Sequence, residues 1–563
     1  VAERRRRRRR AGATAALAAA LLVLTGCASI PDRGPVERGD DVSSEVPSEV
    51  VYTPSGPVAD SSQEKILRDF LAAGTGPQDN YAVARQFLAD GFADDWDPRA
   101  SVTVRPGDGA TTRVGDADLE YAFVTAATVD QGGHYVPSTS DVPTTLAYSF
   151  VREDGQWRIS EAPDGTVLSP ATFQSVFRAH AVYFYDPTFT YLVPDERWFL
   201  ARSSTSTRIA SALLDGPSAW LQGAVVSAFP DGTQLSLTAI TVADGTARVD
   251  LTSDALSATD DARARMQAQL LASFSTLSTV TAVELSVESA PLDVPDLGRA
   301  APLRDPGVDA RPLVLAQGEL GFASRSAIAP LDGLSSAVAA LSPTSVEVSA
   351  DLTRAAVGTS GGSALVTADG RSLLVDPRQG LVAPSLDGAG WLWSVPADDA
   401  RSVTAWSPDG TAQVVASTLP VGERVVSFRV SRDGTRALVL LDDDGASRLL
   451  VVALLRDSRQ VPTALGPPLE LTAPTGSPVD ATWADQLTVA TLTTTDDATR
   501  ATLSEVGGAA VTAGRPGDDA SAVAGGTGRA RLQVLSGDGA VLEPRGSTWQ
   551  GTGVTADLLA TQR

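Results

Sequence analysis

Lys65 is the only lysine in 563 residues, Cys27 the only cysteine, and His134 and His180 the only histidines. A single cysteine leaves no partner for an internal disulfide. With no second thiol and no histidine cluster there is also no zinc ligand set. One lysine removes the phosphate loop that pairs a Gly-rich turn with lysine. Two histidines leave mainly carboxylates for acid–base chemistry, and no paired arrangement of them stands out. No apolar run reaches the ~20 residues that a helix needs to cross a bilayer. Basic charge is scarce overall: the formal net charge is −23. Phosphate backbones are held by clustered Lys and Arg, so nucleic acid is excluded as a partner. What remains, 43% hydrophobic and 20% charged residues, is globular. The length suits two to four domains.

The first 26 residues read as a secretory signal: a basic block, Arg4–Arg10, then the short apolar run Ala13–Leu24, then small residues. Leu24-Thr25-Gly26-Cys27 resembles the bacterial lipobox. The resemblance implies cleavage before Cys27 and a diacylglyceryl group on its thiol, which also accounts for a lone cysteine in an exported chain. Losing Glu3 and the seven arginines, together +6, takes the formal charge from −23 to about −29. Residues 27–61 are rich in Ser, Pro, Asp and Glu without a sustained period, and read as a disordered tether.

Residues 62–170 read as an α+β domain. Ile66, Leu67, Phe70 and Leu71 form one helix face, and Val83, Ala84, Phe87 and Leu88 repeat the spacing up to Gly91. Leu146, Tyr148 and Phe150 then alternate, as do Trp157 and Ile159, around an Asp154-Gly155 hairpin turn. The closing Gly155-Gln156-Trp157-Arg158-Ile159-Ser160 resembles the last hairpin of NTF2-like domains. By that analogy His134 and Tyr135 are candidates for lining a pocket, against the ordinary reading as surface or core positions.

Residues 179–292 form a second α+β domain. Val182 and Phe184 lie on a strand, and Ile209, Leu213 and Leu214 on a helix stopped by Gly216-Pro217. Leu235 and Leu237, then Ala247, Val249 and Leu251, alternate as strands. Met266, Leu270, Phe274 and Leu277 mark one stripe of a long helix, best read as core packing. Val283, Leu285 and Val287 give a strand with one wet face. With Leu213-Leu214-Asp215-Gly216-Pro217, Phe229-Pro230-Asp231-Gly232-Thr233, the run Asp244–Leu251 and the helix containing Gln269, this stretch resembles a GerMN domain. That resemblance implies a non-catalytic extracytoplasmic module.

Residues 311–563 carry many short β-like runs and a recurring unit: Ser349-Ala350-Asp351, Ser385-Leu386-Asp387-Gly388, Ser431-Arg432-Asp433-Gly434 and Trp483-Ala484-Asp485. Successive copies begin 36, 46 and 52 residues apart. Ser407-Pro408-Asp409-Gly410 is a further copy off that register. The period suits a β-propeller of roughly six blades; a sandwich is the rival arrangement. The fold class is therefore multidomain: α+β (NTF2-like), α+β (GerMN-like) and an all-β C-terminal propeller.

This order, lipobox, α+β domain, GerMN-like domain and propeller-like tail, resembles the LpqB family of actinobacterial lipoproteins. The resemblance implies a lipid-anchored protein on the extracytoplasmic face of the cell membrane, without enzymatic activity or cofactor. It implies as partner the ectodomain of a sensor histidine kinase of the MtrA–MtrB type, which the lipoprotein assists as an accessory regulator. A cell-envelope binding module for wall glycan or a small ligand is the alternative.

Other motifs weigh less. Gly358-Thr359-Ser360-Gly361-Gly362 fits the nucleophile-elbow pattern, but no histidine follows His180 and a glycine-rich hairpin explains it better. Asp442-Asp443-Asp444-Gly445 lacks the alternate spacing and distal Glu of a calcium loop. Trp391 and Trp393 fall on one face of a strand, as a binding surface or as packing between blades. The only residue assigned a modification is Cys27.

Overall fold

Ser62 begins the first domain by capping α1 (Gln63–Ala73): its hydroxyl accepts the Lys65 backbone N–H, and Ile66, Leu67 and Phe70 face inward. The computed structural model describes residues 54–563 other than 202, 203, 326, 496, 497, 527 and 547. The second expected helix is only one turn, α2 (Ala82–Arg85). Asp79, Asn80 and Tyr81 all hold positive φ and block its start. Beyond Arg85 the chain makes a turn at Gln86 and Phe87, and Phe87 and Ala89 exchange backbone hydrogen bonds with Ile159. Phe87 and Leu88 are thus buried by a β-bridge instead of a helix face.

Two four-stranded sheets complete the domain. In one, Ala110–Arg113, Asp118–Phe123, Thr144–Glu153 and Gln156–Glu161 lie side by side in an antiparallel sheet. Its last turn puts Asp154 at φ 50° and Gly155 at φ 78°, the left-handed pair that a two-residue hairpin needs. In the other sheet the order is Tyr135–Pro137, Ala127–Asp130, Ser101–Val104, Thr166–Leu168. Its core (Val102, Val129, Tyr135, Leu168) runs on through α3 (Pro170–Val176) into Phe177 and Leu200, so the first two domains share packing.

The second domain pairs Phe177–Tyr185 with Leu192–Leu200 and adds α4 (Thr205–Asp215), a four-stranded sheet and α5 (Asp260–Ser273). Met266 and Leu270 are buried as the stripe requires; Phe274 continues it on a 3-10 turn. The expected strand at Leu235 and Leu237 shrinks to one bridge, Leu235 to Leu251, and Leu237 is 55% exposed. Gln269 on α5 is fully buried: its Oε1 accepts the Ala228 N–H at 2.9 Å and its Nε2 donates to Tyr183 O at 2.8 Å. Gln269→Leu strands both backbone groups, and urea unfolding should show a loss of about 2–3 kcal/mol.

The third domain is a six-bladed propeller and not a sandwich; the strands of blades 1 and 2 run on as one eight-stranded sheet, and blade 4 carries a short fifth strand, Leu469–Glu470. Blade 1 is Leu313–Ala316, Glu319–Ala323 and Ile328–Pro330, closed by Leu558–Gln562 as its inner strand. Val314 pairs with Leu559, and Leu558–Gln562 also runs parallel to the inner strand of blade 2. The inner strands of blades 2 to 6 are Ser345–Val348, Ser385–Leu386, Arg424–Val430, Ser477–Trp483 and Ala522–Ala524. The four in-register copies of the Ser/Trp–Asp unit are the turns leaving the inner strands of blades 2, 3, 4 and 5. Ser407–Gly410, off register, is the outer hairpin turn of blade 3, between Thr404–Trp406 and Ala412–Val414.

Candidate functional site

Cys27, with the signal and tether, lies outside the described residues. Among those described, no helix is long and apolar enough to cross a membrane.

Trp393 does not form a binding surface with Trp391. It is fully buried, its indole N–H donates to Asp387 Oδ2 at 3.2 Å, and its ring stacks on Phe428. Trp391 packs partly against the same core. Ser360 and Gly361 form the turn joining Arg354–Thr359 to Gly362–Thr367 in blade 2. Gly362 is required there, since a Cβ would come within 2.0 Å of Asp376 O. His180 sits inside the second domain, its Nδ1 2.6 Å from Thr276 Oγ1. Burial, then the Arg178 charge, holds its pKa down at about 4. Ser360 and His180 therefore belong to different domains and form no dyad.

The propeller axis is filled with paired charges. Glu347 of blade 2 accepts the Ser385 hydroxyl and the Leu386 N–H of blade 3 at 2.9 and 2.8 Å. Ser385 Oγ in turn accepts the Val430 N–H of blade 4. Arg429 stands between Glu347 and Asp480 at 3.9 and 3.7 Å, and Asp480 accepts the Val523 N–H of blade 6. Arg563, from the closing strand's end, donates to the carbonyls of Leu386, Ser431 and Arg432. Burial raises the Glu347 carboxyl against the pull of Arg429 and Arg563. Each polar link joins different blades, so the axis is a structural seam. Among the described residues no group of three or more His, Cys, Asp or Glu is placed to hold a metal.

The inner-turn face of the propeller meets the second domain. Gln486 Nε2 donates to Tyr183 Oη at 2.7 Å, and the Trp198 indole N–H to Gly507 O at 2.8 Å. Gly507, at φ 87°, lies against the backbone of Glu196, where a Cβ would come within 3.2 Å of the Glu196 Cβ. Burial, then the charge of Glu505, pushes the Glu196 carboxyl well above the usual range.

His134 and Tyr135 lie at the junction of the first two domains. Tyr135 packs against Phe173 and Trp198. His134 closes the turn after Ala127–Asp130, its Nδ1 2.8 Å from Asp130 Oδ2. It lines a cleft of about 430 Å³ whose opposite wall is α4. The cleft floor is Arg197, 3% exposed, which donates to Asp195 Oδ2 at 2.6 Å and to Gly132 O at 3.3 Å. Asp195, Arg197 and Trp198 escaped sequence reasoning. Their only signal is the charged triplet Asp195-Glu196-Arg197 inside the otherwise apolar run Leu192–Leu200.

Three family models match this chain in sequence order. That described as "Lipoprotein LpqB, N-terminal domain" takes residues 56–174, "Sporulation and spore germination" (the GerMN domain) residues 181–293, and "Lipoprotein LpqB beta-propeller domain" residues 318–557. The lipoprotein LpqB of Streptomyces avermitilis is 26% identical over 487 residues, 78% of each chain. That of Cutibacterium acnes is 29% identical over 279 residues, so this chain spans 46% of that relative's length and 49% of its own. Among solved structures, the first GerMN domain of the sporulation protein GerM from Bacillus subtilis overlaps 20% of this chain and 86% of its own, at 18% identity and a TM-score of 0.18. None of the three family models describes a catalytic domain. With two LpqB models flanking a GerMN domain and a relative aligned along most of its length, the chain belongs to the LpqB lipoprotein family.

Proposed function

We propose that this chain is a membrane-anchored extracytoplasmic lipoprotein that assists a two-component system by binding the ectodomain of an MtrB-like sensor histidine kinase. The observation that carries this reading is the division of the propeller's two faces. The inner-turn face is occupied by the second domain through Tyr183 and Trp198. The axis is filled by the seam from Glu347 to Asp480. The opposite face, with the turns at Ser360 and Asp444, has no such cover among the described residues. A broad rigid face of this kind suits a macromolecular partner better than a small substrate.

A lipid on Cys27 would confine that face to the membrane, raising its effective concentration beside a membrane-bound sensor. Binding shifts a sensor between signalling states only as far as its affinity for the two states differs.

The test is photo-crosslinking from Asp444 in native membranes, beside the same protein carrying Cys27→Ala. Capture of a sensor kinase, lost together with membrane attachment in the variant, is the expected result. Recovery of wall polymer alone from the lipidated protein overturns the sensor reading in favour of an envelope-binding module.

A further inference from the structure

We propose that the hollow between the two sheets of the first domain binds a small uncharged ring compound bearing a hydroxyl group, of which phenol is the simplest. Protein interiors are close-packed, yet this hollow measures about 120 Å³. A cavity of about 150 Å³ takes benzene, so a single ring is the size that fits.

The first argument is the shape and stiffness of the wall. The Phe70 ring of α1 lies 5.1 Å from that of Trp96 and, edge-on, 6.4 Å from that of Tyr148, centroid to centroid. The Trp96 indole N–H donates to Pro163 O at 3.2 Å, which ties the ring to the turn carrying Asp164. Leu146 and Val167 add apolar lining, one from each sheet. Rings held in this way present an apolar surface to a planar guest with little further ordering to do.

The second argument is a set of hydroxyls on the same lining. Val102 and Val104 turn into the core shared with the second domain. Alternation therefore aims Ser101 and Thr103 at the other face of the sheet, where Thr103 pairs with Val167. Tyr148 supplies a third hydroxyl from the opposite sheet. Among the described residues none of the three oxygens has a hydrogen-bond partner, and none is sealed inside the wall. Burial, then Tyr121, pushes the Tyr148 phenol above its ordinary range, so it donates or accepts as a neutral group. Asp164 is the one side chain charged at neutral pH among the described lining residues. An anion would meet no cation here, and the lining selects an uncharged guest.

The experiment is calorimetric titration of the chain from residue 27 onward with phenol, benzene and benzoate. It carries Cys27→Ala, so that no detergent is present to take up the probes. Thr103→Val and Tyr148→Phe each remove one hydroxyl and keep the shape of the wall. Ser149→Ala is the control, since that hydroxyl bonds Asp118 on the far face of the strand that carries Tyr148. Phenol should bind saturably, at least tenfold more tightly than benzene, and benzoate should not bind. Phenol affinity should fall at least threefold in Thr103→Val and in Tyr148→Phe and stay unchanged in Ser149→Ala. Absence of saturable phenol binding overturns the proposal, as does binding of benzene or benzoate as tight as that of phenol. Wild-type phenol affinity in Thr103→Val and Tyr148→Phe, with melting temperatures preserved, overturns it too; where Tyr148→Phe fails to fold, Thr103→Val decides. The outcome is independent of whether a kinase is captured.

Discussion

Trp198→Ala is expected to cost about 3–5 kcal/mol, the range for removing a large aromatic from a packed cluster. Beyond that loss, it should split one cooperative unfolding transition into separate ones. Trp198 touches three domains at once. Its ring packs on Tyr135 of the first domain and on Phe173 of the connecting helix. Its backbone N–H donates to Gly133 O at 2.8 Å. Its indole N–H reaches Gly507 in blade 5. Trp198→Phe keeps the ring packing and loses only the indole bond, so it should cost about 1 kcal/mol and leave the transition whole. Scanning calorimetry with limited proteolysis separates the cases. A single transition for Trp198→Ala at the wild-type temperature would mean that the domains are held together elsewhere.

Arg436→Ala should be comparably severe, about 3–5 kcal/mol, because it leaves a buried carboxylate without its cation. Arg436 is wholly buried, stacks over Trp483 and donates to Asp433 Oδ2 at 2.6 Å. Burial alone would raise the Asp433 pKa. The Arg436 charge and the hydrogen bonds from Arg436 and Thr435 outweigh it and hold the carboxyl at about 2. A folded-state value below the ordinary 3.8 means that this stabilisation is complete above 3.8 and lost as the pH falls through about 2. The gap between wild type and Arg436→Ala in urea titrations should therefore be smaller at pH 3 than at pH 7. Pairing Arg436→Met with Asp433→Asn should recover part of the loss, since no charge is then stranded. A full gap at both pH values would refute the assignment to this ion pair.

Local chemistry was readable from the chain alone wherever it needed a particular residue. Asp154-Gly155 announced its hairpin because the turn demands two positive φ values. Three of the Ser–Asp units share one turn, with Ser349, Ser431 and Ser407 hydroxyls bonded to Asp351, Asp433 and Asp409, while Ser385 bonds Glu347 instead. Alternation left Trp391 and Trp393 open between a binding surface and packing, and the structure shows packing. In a propeller both faces of a sheet are covered by neighbouring blades, so period two does not say which side is wet. The α2 stretch misled because helical spacing at Phe87 and Leu88 says nothing about the left-handed residues just before it. The cleft was invisible for another reason: Arg197 and His134 meet only after two domains dock, and Trp198 finds Gly507 309 residues away.

Blade 1 takes its inner strand from Leu558–Gln562 and its other three from Leu313–Pro330. As the chain emerges N-terminus first, the strands of five blades and both preceding domains are available before that last strand arrives. Until then the Leu313–Ala316 strand has an open edge, which is a template for pairing with another molecule. Joining ends roughly 250 residues apart adds little to the equilibrium cost but slows the final step. Vulnerability to aggregation is therefore concentrated in the interval between the emergence of Pro330 and that of Leu558. Mutations that weaken the closing strand should be felt as lost yield of folded protein before they are felt as lost stability of what has folded.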